Sequence, residues 1–231
     1  MNPEDLNVTI LAYSRPETFK KVFDSCAENL KKITVVIDKP SNKLIAKKQE
    51  QILDITFNAN IHCVIVKRAE KYGLVRSVLT AVEDGLKKQD HVVMLEDDCL
   101  PNENFFKFVA DNLDKHRDDP SISTICGTRT SCDFNPWGWA TWRHKWDYQN
   151  ITISEILKIA KLPLSLRDFL ENNNVEDSIW SLNWLAYQYK NNCSSAFPKK
   201  NLITNIGLDN SGVHDHQKGY TGWLLSQIMK D

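Results

Sequence analysis

The chain has 231 residues, room for one large domain, and its 42% hydrophobic and 26% charged residues are the ordinary mix of a soluble globular protein. A formal net charge of -1 leaves no global electrostatic case for nucleic acid. No apolar stretch approaches the roughly 20 residues that span a bilayer, and Met1-Asn2-Pro3-Glu4-Asp5 lacks the basic and apolar regions of a signal peptide.

In chain order, Leu6–Tyr13 reads as a strand. Ser14-Arg15-Pro16-Glu17 then has the form of a capping box with an early proline, opening a helix through Phe19, Val22, Phe23, Cys26 and Leu30. Ile33–Ile37 is a second strand closing at Asp38, Lys43–Phe57 a helix, Ile61–Val66 a third strand and Leu74–Leu86 a helix. Val92, Val93, Met94 and Leu95 form a continuous apolar run, as expected of a strand covered on both faces. Asn104–His116 follows as a helix. Such βαβα alternation predicts an α/β fold, a mostly parallel central sheet flanked by helices.

From about Ser121 the pattern changes. Ile122–Cys126 reads as a further strand, and Trp137, Trp139, Trp142 and Trp146 cluster after it. Ile151–Leu170 reads as helical with a break at Pro163, and Ser178–Lys190 as a helix. The tail carries Asn205-Ile206-Gly207 and Ser211-Gly212-Val213-His214. With no internal repeat or clear linker, residues 1–231 are expected to form one domain. Its front half, to about residue 120, would bind nucleotide, and residues 121–231 the second substrate. The six cysteines include no Cys-x-x-Cys pair and read as reduced residues of a cytosolic protein, a Cys126–Cys132 disulfide being the alternative. Short basic clusters such as Lys31-Lys32 and Lys47-Lys48 are solvated faces or peripheral contacts to anionic lipid headgroups.

The apolar run at 92–95 ends in Glu96, Asp97 and Asp98. Ligands of parallel sheets bind beyond the carboxyl ends of the strands. Three adjacent carboxylates there repel one another, and a divalent metal holding a diphosphate is the natural counter-charge; a solvated acidic turn is the alternative. No G-x-G-x-x-G follows the first strand and no G-x-x-x-x-G-K-[ST] occurs, which argues against dinucleotide-binding Rossmann and P-loop enzymes. Tyr13 and Arg15 offer a ring for a base and a guanidinium for a phosphate, or a helix cap with a surface arginine. Asp38 either accepts from ribose hydroxyls or a base N–H, or forms a turn before Lys39-Pro40. Arg76 contacts the donor or faces solvent. Trp142 and Trp146 read as core, whereas Trp137 and Trp139 frame an acceptor sugar, with Gly138 allowing its close approach.

Tyr13-Ser14-Arg15-Pro16-Glu17, Asp38, Gly73-Leu74 opening a helix, and Leu95-Glu96-Asp97-Asp98 stand in the order found in GT-A glycosyltransferases. The chain resembles a bacterial GT-A enzyme of the family 2 type, and its Glu-Asp-Asp form is similar to that of the inverting N-acetylglucosaminyltransferase I group. Trp137–Trp142, Asn205-Ile206-Gly207 and Ser211–His214 are similar to segments of bacterial polysaccharide glycosyltransferases, so the resemblance runs from about Asn7 to His214.

The resemblance implies manganese, or magnesium, bound by Asp98 with His214 as a second ligand, while Glu96 and Asp97 face the ribose or metal-bound water. It implies an inverting transfer with Asp177 as base and Glu176 second; acids in a first helical turn also stabilise the helix dipole without catalysis. The implied activity moves a hexosyl or N-acetylhexosaminyl group from a nucleotide-sugar donor, UDP-linked, to a hydroxyl of a glycan acceptor. In a bacterium that acceptor would be lipid-linked, at the cytoplasmic face of the inner membrane. A sugar-phosphate nucleotidyltransferase and a catalytically inactive glycan-binding relative are the rival readings.

Overall fold

The computed structural model of the chain describes residues 1–175 and 179–207. Four strands build the front half: β1 (Val8–Ala12), β2 (Lys32–Ile37), β3 (His62–Lys67) and β4 (His91–Glu96). They pair in parallel in the order β3-β2-β1-β4. Helices α1 (Pro16–Ala27), α2 (Lys43–Phe57) and α3 (Gly73–Lys88) make the crossovers, as the sequence alternation requires.

The short strand β5 (Cys99–Pro101) and helix α4 (Phe105–Lys115) lead into β6 (Ile122–Cys126) and then β7 (Trp139–Trp142). β7 inserts between β4 and β6, antiparallel to both. Its sequence, rich in tryptophan, does not announce a strand. Its side chains alternate as a strand demands: Trp139 joins the apolar cluster on one face, Ala140 and Trp142 that on the other. The segment predicted as one interrupted helix forms α5 (Ile153–Ile156) and α6 (Leu164–Asn172), with Pro163 at the N-cap of α6. After α7 (Trp180–Asn191), β8 (Ser194–Ala196) closes the seven-stranded sheet beside β6, and β9 (Ile203–Asn205) pairs with β5 in a separate two-stranded ribbon.

Alternate residues of the same strands feed two cores. Ile10 and Val35 face one with Phe19, Phe23, Phe105 and Phe106, while Leu11 and Val36 face the other with Val78, Val82 and Trp184. Fully burying each such side chain contributes about 1.5–3 kcal/mol. All six cysteines are free thiols. No helix among the described residues is long and apolar enough to cross a membrane.

Candidate functional site

The carboxyl ends of β1, β2 and β4 meet at one edge of the sheet, where most of the candidate residues gather. Beyond β4 the chain turns through Asp97 and Asp98, which are only 3% and 7% exposed. Two close carboxylates with so little water need a counter-charge. Arg15 supplies it. Its Nη1 donates to Asp98 Oδ2 at 2.7 Å, and its Nη2 pairs with Asp97 Oδ1. Asp97 Oδ2 also accepts the Tyr13 N–H at 3.2 Å.

The expected capping box does not form. Arg15, not Ser14, is the N-cap of α1, and no side chain caps the helix there. That placement sends the Arg15 side chain along the sheet edge to acids more than eighty residues away. Burial lowers the guanidinium's affinity for its proton, but the attraction of Asp97 and Asp98 outweighs this and keeps it charged. Burial, with repulsion from Asp98 and Asp97, pushes Glu96 up to about 8. Burial also lifts Asp97 to about 6 against the pull of Arg15.

Asp38, at the end of β2, is committed to backbone. Its Oδ1 accepts from Lys39 N–H and Tyr72 N–H, and its Oδ2 from Gly73 N–H, each at 2.8 Å. Asp38 therefore fastens the start of α3 to the end of β2. Oδ2, with a single donor among the described residues, keeps room for a further one. Tyr13 bridges the next loop, its hydroxyl accepting the Ser41 N–H at 3.3 Å. Arg76 lies over the Tyr72 ring, 3.7 Å from its centroid, and pairs with the exposed Glu70 at 3.1 Å, so it stands at the rim.

The tail reaches the same acids. The β5–β9 ribbon sets Cys99 opposite Asn205, after which Ile206 N–H donates to the Asp98 carbonyl at 2.8 Å. Gly207 follows, its N–H held by Asn205 Oδ1 at 2.9 Å. A Cβ on residue 207 would lie 2.3 Å from Asp98 Oδ2 and 2.6 Å from Arg15 Nη1, so only glycine fits against the ion pair. Asn205-Ile206-Gly207, a family-like segment in the sequence, is thereby set against the ion pair, and its glycine two residues after Asn205 is the local signal for the turn.

Trp139 needs correction as an acceptor residue. It is 2% exposed, stacked on Trp180 and Trp146 with centroids 5.5 and 5.9 Å away, and edge-on to Phe134. Trp137 is partly buried, packed against the core cluster that holds Phe105 and Trp142. Gly138 has φ +64, and a Cβ there would meet Ile203 at 2.6 Å. Asp177, Glu176 and His214 lie outside the described residues. Cavities of about 240 and 450 Å³, beneath α3 and between α5 and the end of α7, are lined by none of the candidate side chains.

Carboxylate oxygens are the ligands that manganese and magnesium take, so the donor chemistry at 96–98 suits such an ion. Among the described residues no group of three His, Cys, Asp or Glu side chains is poised to hold a metal. Asp98 Oδ2 is taken by Arg15, whereas among the described residues Oδ1 receives only the Cys99 thiol at 3.6 Å. The ion fits if Arg15 yields that carboxylate.

The chain matches no family model and no curated protein. It is similar in fold to the mannosyltransferase PcManGT from Pyrobaculum calidifontis in complex with GDP-Man and Mn2+, with a TM-score of 0.54 and 14% identity over 100% of this chain and 66% of that chain. It also aligns with a putative nucleotide-diphospho-sugar transferase from Desulfovibrio desulfuricans (TM-score 0.48, 8% identity, 98% of each chain). A cytidylyltransferase from Leptospira borgpetersenii aligns over 87% of this chain and 82% of its own, with a TM-score of 0.45 and 12% identity. The seven-stranded, mostly parallel sheet flanked by helices is thus similar to the fold of that mannosyltransferase.

Proposed function

We propose that this chain is a metal-dependent, inverting GT-A glycosyltransferase. It would move a sugar from a nucleoside-diphosphate donor, UDP-linked, to a hydroxyl of a glycan acceptor in bacterial surface-polysaccharide synthesis. The observation that carries this reading is the convergence of Arg15, Asp97, Asp98 and Gly207 at the carboxyl edge of the sheet. Ligands of such sheets bind at that edge. The GDP-Man and Mn2+ in the mannosyltransferase complex lend support to a nucleotide-sugar and a divalent ion, and make guanine the rival base to uracil.

In this reading Arg15 binds the diphosphate, Tyr13 and the Asp38-fastened start of α3 border the base, and Glu96 and Asp97 face the ribose. A divalent cation, manganese or magnesium, held by Asp98 and His214 would supply positive charge to the departing diphosphate. Asp177, with Glu176 second, takes the acceptor hydroxyl's proton as that oxygen attacks the anomeric carbon. Trp137 offers the uncovered part of its ring to the acceptor sugar. A lipid-linked acceptor would place the protein peripherally at the cytoplasmic face of the membrane.

Calorimetric titration with UDP, GDP, dTDP and CDP, each with Mn2+ and with EDTA, tests this. One diphosphate is expected to bind at least tenfold more tightly with metal, and Asp98→Asn to remove that gain. If none binds the wild-type protein, the glycosyltransferase reading is lost.

A further inference from the structure

Arg15 spends both terminal nitrogens on the acid pair, and among the described residues no other cationic side chain bonds Asp97 or Asp98. The two carboxylates are almost dry, while the arginine side chain keeps 22% exposure. The backbone around them is fixed. Pro16 opens α1 directly after Arg15, and Ile206 is bonded to the Asp98 carbonyl. The long arginine side chain is the free variable.

A divalent ion coordinated by Asp98 at about 2.1 Å would stand only about 4–5 Å from the guanidinium that donates to Oδ2 at 2.7 Å. Two positive charges that close in a nearly dry site repel, so the arginine's place on the carboxylate weakens metal binding. A diphosphate offers Arg15 the same bidentate oxygen geometry as a carboxylate. We propose that Arg15 is an exchangeable counter-ion. It neutralises Asp97 and Asp98 while no nucleotide is present, and it transfers to the diphosphate of an arriving nucleotide, releasing Asp98 to the metal. This rests on the glycosyltransferase reading for the identity of the diphosphate. Metal alone is then disfavoured, and nucleotide and metal each strengthen the other's binding by the same factor.

The test titrates Mn2+ into nucleotide-free wild type, Arg15→Met and Arg15→Lys, following free Mn2+ by electron paramagnetic resonance. Thermal melting is recorded alongside. Arg15→Met is expected to bind Mn2+ at least tenfold more tightly than wild type. Its melting temperature should fall without metal and recover by several degrees with it, as ligand linkage requires, while Mn2+ alone leaves the wild type unmoved. Arg15→Lys, whose single ammonium satisfies the two acids less well, should fall between and carries the test if the methionine variant does not fold. Equal or weaker Mn2+ binding in both variants overturns the exchange, even if wild type binds nucleotide. A gain in Mn2+ affinity with no nucleotide binding by wild type overturns the nucleotide trigger and the glycosyltransferase reading together.

Discussion

A methyl group at position 207 would enter the space of Asp98 and Arg15 at once, with Asp98 Cβ itself only 2.8 Å away. Gly207→Ala must therefore push the tail from the ion pair or twist Asp98 out of place. We expect a stability cost of about 1–3 kcal/mol and at least a tenfold loss of metal-dependent nucleotide affinity, read by urea titration and calorimetry; unchanged values for both would show that the approach is not tight. Asp38→Ala is a different kind of change. It leaves three backbone N–H groups without their acceptor, and should cost about 1–2 kcal/mol, the range of a lost helix cap, in chemical denaturation of the nucleotide-free protein. The acids were legible in the sequence because a buried strand ending in three carboxylates is rare without a reason. Their partner was not. Arg15 and Asp98 are joined by the pairing of β1 with β4, and Gly207 by the pairing of residues 99 and 205, neither of which is encoded in local spacing.

Strand β7 shows why the back half read less clearly than the front. In β1, β2 and β4 each strand is an apolar run and each following helix is amphipathic, so period alone separates them. Trp139-Ala140-Thr141-Trp142 offers neither pattern, since both faces of the strand are buried by residues of very different size. Trp139→Ala should cost about 3–5 kcal/mol, as expected for deleting a core aromatic. Trp137→Ala, at a partly buried position, should cost less and instead lower transfer to acceptor; equal melting losses for the two would contradict this division. Just past β7, Lys145 Nζ donates to the carbonyls of His116, Asp119 and Ile122 at 2.5, 2.9 and 2.8 Å and lies 4.1 Å from the Trp142 ring centroid. One ammonium thus closes the turn between α4 and β6. Lys145→Met keeps the stem and removes the donors, and about 2–4 kcal/mol should be lost on urea unfolding.

The two apolar clusters share the same strands, and β7 of the back half is zipped to β4 of the front. Neither half can open without exposing the other, which favours one cooperative unit. All seven tryptophans lie beyond residue 136, so their fluorescence reports the back half while far-ultraviolet circular dichroism reports the whole chain. The two signals should give coincident urea transitions; separated midpoints would divide the chain into two domains. The place of β7 also bears on how the protein is made. As the chain leaves the ribosome, β4 pairs with β1 early, but its other side stays bare until residues 139–142 emerge. Through that interval an apolar strand edge is open to any passing chain. Fragments stopped near residue 130 should therefore be insoluble, and slowing translation just before the tryptophans should lower the yield of soluble protein.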